Sequence, residues 1–343
     1  GASQERAIGL WAACAAMGSA FGVVIGGLLT SLASWRWVMF VNIPVGIVLA
    51  AVVAGCLRPQ LTDDARAKLD VLGASTVTLA LASFLYAISE SVHAGWTSST
   101  VLSALATALI MFVAFIAAER RSAQPLINFE IFRLRNVTVG MAMVLSLGAV
   151  LTVSMFFLSQ ALQRIDGRSP LDTGLALLPM ASALAVASIA SRYLRDAGFT
   201  QLPFIGSLVS AAGLIWLNWL PVHPLQVSEF LLPTLLVGAG NGLVMMSATQ
   251  AVLAGVPRKD SGLAAGLQNT ARQLGGAVGI AVLGAVAHSV MATQLATGQL
   301  PQAAELAGYR FAFLIAGIVS VVSAVASLML RRTQGQVCHL DTN

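Results

Sequence analysis

Long apolar runs follow one another along this chain, separated by short polar segments, and each run is long enough to cross a membrane. A helix rises about 1.5 Å per residue, so roughly 20 apolar residues cross the ~30 Å hydrocarbon core of a bilayer. Ten segments meet this requirement, near 7–31, 35–57, 69–90, 97–118, 136–160, 171–192, 201–220, 226–249, 262–287 and 306–330. The pattern predicts an all-α integral membrane fold with about ten transmembrane helices.

Composition and charge agree with a bilayer environment. Hydrophobic residues make up 57% of the 343 residues and charged residues only 10%, which is outside the range of soluble globular proteins. With the N-terminus inside, the cytoplasmic segments hold fourteen of the nineteen Lys and Arg residues, and the outer segments hold four. Because basic residues are retained on the cytoplasmic side, both termini are predicted to be cytoplasmic. This bias explains the net charge of +5, and no nucleic-acid partner is predicted.

The sequence gives no indication of a metal, a cofactor or an enzyme. Cys14 and Cys56 lie in apolar spans, and the tail pair Cys338 and His339 supplies too few ligands for a metal site. No nucleophile motif and no phosphate-binding loop is present. We therefore predict a non-enzymatic protein without a metal or an organic cofactor, whose main partner is the lipid bilayer.

Glycines recur in the first span, GLWAACAAMGSAFGVVIGG over residues 9–27. Gly18, Gly22 and Gly26 lie four residues apart on one helix face, where small residues let membrane helices approach closely. With Gly9 and Gly27, the spacing resembles the antiporter motif in the fifth helix of the major facilitator superfamily, although Val23 stands where proline is usual. The alternative is ordinary glycine-mediated packing of the kind found in any transporter.

Other segments resemble the same family. They are SWRWVMFVNIPVG from residue 34, PLINFEIF from 125, SPLDTGLALLP from 169 and SGLAAGLQNTARQLGGAVGIAVLG from 261. Together these segments resemble the fourteen-helix drug:proton antiporters of the major facilitator superfamily, which are multidrug and antibiotic exporters of bacteria. The resemblance extends over essentially the whole chain and implies a major facilitator fold, with a proton as the coupling ion.

The order of the matching helices implies a division of the chain. Residues 1–57 resemble the last two helices of the N-terminal half, and 58–135 resemble two extra linker helices with cytoplasmic connections. Residues 136–332 resemble the six-helix C-terminal half, and 333–343 form a cytoplasmic tail. The chain thus resembles helices five to fourteen. Since it also lacks an initiator Met, we expect that it begins partway through a longer protein.

Arg272 is the sharpest single candidate for function. It lies about ten residues into its span, or ~15 Å deep at about 1.5 Å per residue, and charges there are costly unless they face an interior or a water-filled cavity. Gln268 and Asn269 share its face. Arginine stays protonated, so it cannot itself be the coupling group. The alternative is a structural arginine that snorkels or binds backbone carbonyls.

Two further polar residues are candidates for a transport path. Asn42 lies in the second span and Asn241 in the eighth, and each side chain can donate and accept hydrogen bonds. The alternative for both is hydrogen bonding between helices. None of the fourteen acidic residues lies deep in a predicted span, so the resemblance implies that the coupling carboxylate lies in the absent N-terminal helices.

Prolines interrupt three of the spans. Pro44, Pro179 and Pro233 lie within apolar runs, where each removes one backbone hydrogen bond and predicts a kink. Kinked helices are common in transporters that rock between two states.

The sequence thus predicts a proton-coupled exporter of drugs or amphipathic natural products, located in a bacterial inner membrane. One alternative is a truncated membrane protein that does not transport. Another is an exporter of an endogenous metabolite, siderophore or lipid.

Overall fold

The computed structural model describes residues 18, 22, 24–56, 70–121, 132–222, 225–254, 256 and 261–330, and within these residues the regular structure is entirely helical. A first helical stretch, α1, covers residues 24–32. The helices that follow are α2 Trp35–Phe40, α3 Asn42–Cys56, α4 Val71–Ala94, α5 Ser99–Arg121, α6 Arg135–Gln160, α7 Pro170–Asp196, α8 Leu202–Leu217, α9 Val227–Ala254, α10 Ser261–Ala296 and α11 Pro301–Ser327. A π-helical turn, Ala161–Ile165, extends α6.

The predicted spans from the second onward coincide with helices, and the first lies largely outside the described residues. Eight helical segments among the described residues are long and apolar enough to cross a membrane. The seventh predicted span, 201–220, is not among these eight segments, because its helix α8 has only 16 residues. At 1.5 Å per residue α8 is about 24 Å long, and it ends before a turn at Asn218–Trp219 that is followed by Pro221.

The three prolines act in two ways. Pro179 and Pro233 lie inside α7 and α9, as predicted. Pro44 lies in the first turn of α3, and the helical run is interrupted at Val41, three residues earlier. Because a proline ring clashes with the carbonyl four residues before it, here that of Phe40, the interruption falls where that clash would occur.

Helices α6 to α11 form one bundle. The closest pairs are α7 with α9, α8 with α9, and α6 with α10, while α11 packs against α8, α10 and α6. Helices α4 and α5 pair as a hairpin whose α4 contacts α10. The segment α2–α3 buries none of the side chains in its most apolar window, so its faces are open in this structure.

Glycines lie at the helix crossings of this bundle. A Cβ added to Gly148 of α6 would overlap the carbonyl of Arg272, and one added to Gly275 of α10 would overlap the carbonyl of Leu145. Gly238 brings α9 onto α7 in the same way. Since lipid provides no hydrophobic force between helices, such close approach is how van der Waals contact holds them together.

Aromatic side chains pack between α6 and α11. Phe157 of α6 has its ring centroid 5.4 Å from that of Tyr309 and 6.4 Å from that of Phe313, both on α11. Phe157 and Phe313 are buried. These contacts fix α11 against α6 near the end of α6.

Charged side chains secure the end of the bundle where α6 stops and α7 begins, which we call the α6–α7 end. Arg168 forms a salt bridge with Asp166. The Arg168 guanidinium also donates to the backbone carbonyl of Leu225 ahead of α9, and Asp166 accepts a hydrogen bond from the Leu225 N–H. The Arg168 guanidinium also lies 5.3 Å from the ring centre of the buried Phe230. Arg310 of α11 donates from Nε to the Leu220 carbonyl at 2.8 Å, so both ends of the α8–α9 connection are held.

We expect Gly275→Ala to lower the melting temperature of the purified protein and Gly284→Ala to leave it unchanged or raise it. Both glycines lie on α10, but an added Cβ meets the Leu145 backbone at position 275 and open space at 284. At the open position, alanine favours the helix by roughly 0.5–1 kcal/mol over glycine. Equal melting temperatures for the two variants would contradict the close α6–α10 contact.

Candidate functional site

Arg272 lies at the middle depth of the bundle. Its backbone meets Gly148, which stands near the centre of the 26-residue helix α6. The side chain is half-buried, and its Nη2 donates to Oδ1 of Asn269 at 3.0 Å, one turn earlier on α10. The sequence prediction that these two residues share a face therefore agrees with the structure.

Gln268 connects α10 to α9. Its Nε2 donates to Oγ1 of Thr249, whose hydroxyl in turn donates to the carbonyl of Met245 at 2.8 Å. Next to Thr249, Oε1 of Gln250 is buried without a hydrogen-bond partner among the described residues. We call Gln268, Asn269 and Arg272 the α10 polar face, because they place amide and guanidinium groups on adjoining turns of one membrane helix.

No salt bridge pairs Arg272 with a carboxylate within the described part of the chain. The salt bridges found there lie at the α6–α7 end, between Arg168 and Asp166 and, at 3.8 Å, between Arg164 and Glu305. Among the described residues, an amide oxygen is the hydrogen-bond partner that the structure gives to the positive charge of Arg272. A cation with this environment can attract an anionic group or a carbonyl that enters beside it.

The two predicted asparagines are not part of the α10 polar face. Asn241 of α9 is 3% exposed and donates from Nδ2 to the Val237 carbonyl at 2.9 Å, on a side of α9 that faces α8. Asn42 is exposed at the start of α3, where Nδ2 donates to the Val38 carbonyl at 3.0 Å. The structure therefore does not gather the five candidate residues into one cavity.

The glycine run of the first span makes one contact that the structure describes. An added Cβ at Gly18, Gly22 or Gly26 would meet open space, whereas at Gly27 it would lie 2.8 Å from the Pro170 carbonyl oxygen at the start of α7. Gly9 and Val23 lie outside the described residues. The close packing predicted for the Gly18–Gly22–Gly26 face stays a prediction.

A hydrogen bond accompanies the Gly27 contact. The backbone N–H of Leu171 donates to Oγ of Ser31 at 3.2 Å. The first N–H groups of a helix have no partner within the helix, so Ser31 of α1 satisfies one of these groups at the start of α7. No local pattern marks Ser31, because its partner lies 140 residues away along the chain.

The architecture is that of a helical integral membrane protein with interrupted spans and a polar face at mid-depth. Residues 2–280 match the family model described as Major Facilitator Superfamily. The chain belongs to the Major Facilitator Superfamily, a family of transporters rather than of enzymes. This membership confirms the resemblance seen in its motifs.

Several relatives are antibiotic exporters or resistance proteins. The chain is 32% identical to the cephamycin export protein CmcT of Amycolatopsis lactamdurans, over 99% of this chain and 70% of that protein. It is 35% identical to the puromycin resistance protein pur8 of Streptomyces alboniger, over 95% of this chain and 66% of that protein. It is 28% identical to the tetracenomycin C resistance and export protein of Streptomyces glaucescens, over 96% and 69%. The chain thus spans about two thirds of the length of these three relatives.

We expect Gly27→Ala to weaken the contact between α1 and α7, because the new Cβ would meet the Pro170 carbonyl. The readout is disulfide formation between cysteines introduced by Ser31→Cys and Leu171→Cys after removal of the native cysteines. Cleavage at a protease site placed in 58–69 separates the segment that carries α1 from the rest of the chain unless the two pieces are crosslinked. The yield should fall several-fold with Gly27→Ala.

Gly26→Ala is the matched control, since the neighbouring position has open space within 4 Å. This variant should keep the crosslinking yield of the parent. The contact between α1 and α7 would be refuted by an uncrosslinked parent, or by equal yields for the two alanine variants.

Proposed function

We propose that this protein exports antibiotics or other small amphipathic molecules across a bacterial cytoplasmic membrane in exchange for protons. The similarity to antibiotic export and resistance proteins over nearly the whole chain carries this proposal. The structural support is a membrane bundle with a charged group, Arg272, at mid-depth. Such groups in membrane helices mark substrate or ion pathways.

The α10 polar face supplies the chemistry for such a pathway. Since a guanidinium is not the proton-exchanging type of group, Arg272 is proposed to hold an anion or a carbonyl group, or to set the potential around a carboxylate that exchanges protons. Asn269 positions the guanidinium through its amide oxygen. Gln268 fixes this part of α10 against α9 through Thr249. None of the acidic residues lies deep in the predicted spans, so the titrating carboxylate is proposed to belong to helices outside this chain.

The contact of α1 with α7 supports alternating access. Residues 1–57 are proposed to belong to the N-terminal half and 136–332 to the C-terminal half, with 58–135 between them and a tail at 333–343. On this division, Gly27 and Ser31 join one half to the other at the α6–α7 end. Transporters of this kind work by rocking one half against the other, so this contact would close one side of the membrane.

The distribution of basic residues supports an orientation with both termini in the cytoplasm and the α6–α7 end outside. In that orientation the α1–α7 contact would close the outer side, and the α10 polar face is proposed to load from the cytoplasmic side. A reporter fused near Arg258 should then indicate a cytoplasmic location.

Export is tested by expressing this chain together with the helices proposed to carry the titrating carboxylate, in a bacterium that lacks its own drug exporters, and measuring retention of a fluorescent cationic dye. Expression should lower dye retention, and a protonophore should abolish the difference if protons drive transport. Dye retention equal to that of cells with empty vector, at confirmed membrane insertion, would contradict the proposed export.

The role of Arg272 is separable by charge. Arg272→Lys keeps the positive charge and loses the planar set of donors, whereas Arg272→Gln keeps hydrogen bonding and loses the charge. If Arg272 sets the potential around a carboxylate, the Arg272→Lys variant should keep part of the efflux rate. The Arg272→Gln variant should lose most of the efflux rate, and the pH optimum of its remaining efflux should shift.

The measurement is efflux against pH, normalised to the inserted protein, with Asn269→Ala as an added variant that removes the amide partner of the guanidinium. If the role of Arg272 is purely structural, all variants should lose efflux activity only in proportion to the loss of membrane-inserted protein. A wild-type pH profile and rate per inserted molecule for Arg272→Gln would exclude the electrostatic role.

A further inference from the structure

A small cavity lies inside the bundle where α6, α8, α9 and α11 meet, apart from the α10 polar face. It leaves about 10 Å³ in which the centre of a water molecule fits. Its lining is unusually rich in polar side chains for the interior of a membrane bundle. The polar residues are Ser146, Ser207, Ser210, Asn241, Ser320 and Ser323.

Two of these hydroxyls are buried without a partner. Ser207 and Ser210, one turn apart on α8, are 2% and 1% exposed, and neither Oγ makes a hydrogen bond within the described part of the chain. A helical serine can normally donate to a carbonyl three or four residues earlier, as Ser154 does to Val150. An unmade hydrogen bond is costly in a membrane interior, where bulk water is absent.

The other sides of the cavity offer complementary groups. Asn241 uses one N–H for the Val237 carbonyl, which leaves a second N–H and the amide oxygen Oδ1 available. Ser320 and Ser323 of α11, also one turn apart, are 3% and 5% exposed. Hydroxyls from α8 and α11 and the amide of α9 therefore face one shared space.

We propose that one ordered water molecule occupies this cavity and bridges α8, α9 and α11. A water needs roughly 10–15 Å³ of such space and two to four polar partners, and both requirements are met. A metal ion fits poorly because no carboxylate lines the cavity, and a buried cation requires a compensating charge. A drug-sized molecule is excluded by volume.

The water gives α8 a polar attachment within the bundle. Gly206 of α8 and Gly240 of α9 are in close backbone contact, and Ser207 and Ser210 flank this crossing. The water would join the same crossing to α11 by hydrogen bonds. If instead the serines serve only as small packing residues, their hydroxyls contribute nothing to stability.

The sign of a stability change distinguishes these possibilities. Replacing an unpartnered buried hydroxyl by alanine leaves the melting temperature unchanged or raises it, whereas removing a partner of a bound water lowers it. We expect Ser207→Ala and Ser210→Ala each to lower the melting temperature of the purified protein by about 2–4 °C, the shift typical for loss of one moderate interaction in a domain of 150–250 residues.

The matched control is Ser154→Ala, a buried serine whose hydroxyl bonds to its own helix outside the cavity. This variant should change the melting temperature less than Ser207→Ala does. An unchanged or raised melting temperature for both cavity variants would overturn the proposal.

A second measurement detects the water itself. Synchrotron radiolysis generates hydroxyl radicals from bound water, and ¹⁸O water identifies the source of the oxygen that is added. Leu147, Val150 and Val244 line the cavity and are 3%, 2% and 3% exposed. They should be oxidised, while Val153 and Val237, both 0% exposed and not in the lining, should not.

Equal labelling of the two groups of side chains would refute a bound water. A melting temperature that rises with sodium but not with choline, and loses this dependence in Ser210→Ala, would assign the cavity to a cation instead. That result would also overturn the proposal.

Discussion

Direct contact between helix backbones at glycine is the interaction on which this bundle depends. Lipid chains are as apolar as leucine side chains, so burial supplies little force between helices, and van der Waals contact must hold them. That attraction falls steeply as a gap opens, so a single Cβ at a crossing matters. Gly148 of α6 lies against the backbone carbonyl of Arg272, and Gly275 of α10 lies against the backbone carbonyl of Leu145. Helices α6 and α10 therefore touch main chain to main chain.

The same contact determines the depth at which the positive charge of Arg272 lies in the bundle. Because the backbone of Arg272 itself meets Gly148, the depth of the arginine is set by main-chain packing rather than by a partner of its side chain. The guanidinium then needs only Asn269, one turn away, to hold its orientation. The guanidinium of Arg272 can thus stay available to another molecule without disturbing the fold.

Much of the fold followed from sequence because the hydrophobic pattern reports membrane spans directly. The spans from the second onward and the positions of Pro179 and Pro233 were predicted. Helix α8 proved shorter than its predicted span, because the apolar pattern continues through a turn at Asn218–Trp219. The glycine spacing indicated close packing without identifying the partner helix, and the Gly27 contact with Pro170 became visible only in three dimensions. Pairing over distances such as the 140 residues between Ser31 and Leu171 has no local signal.

The polar groups of the bundle fall into two physical classes. Many hydroxyls among the described residues, such as those of Thr152 and Ser154, bond to a carbonyl of their own helix and need nothing further. Ser207 and Ser210 do not, and Arg272 has an amide partner but no neutralising charge among the described residues. In hydrocarbon, such incomplete groups are stable only where another species completes them. A small neutral molecule suffices for the serine-lined cavity, whereas the charge of Arg272 requires a group that carries or attracts charge.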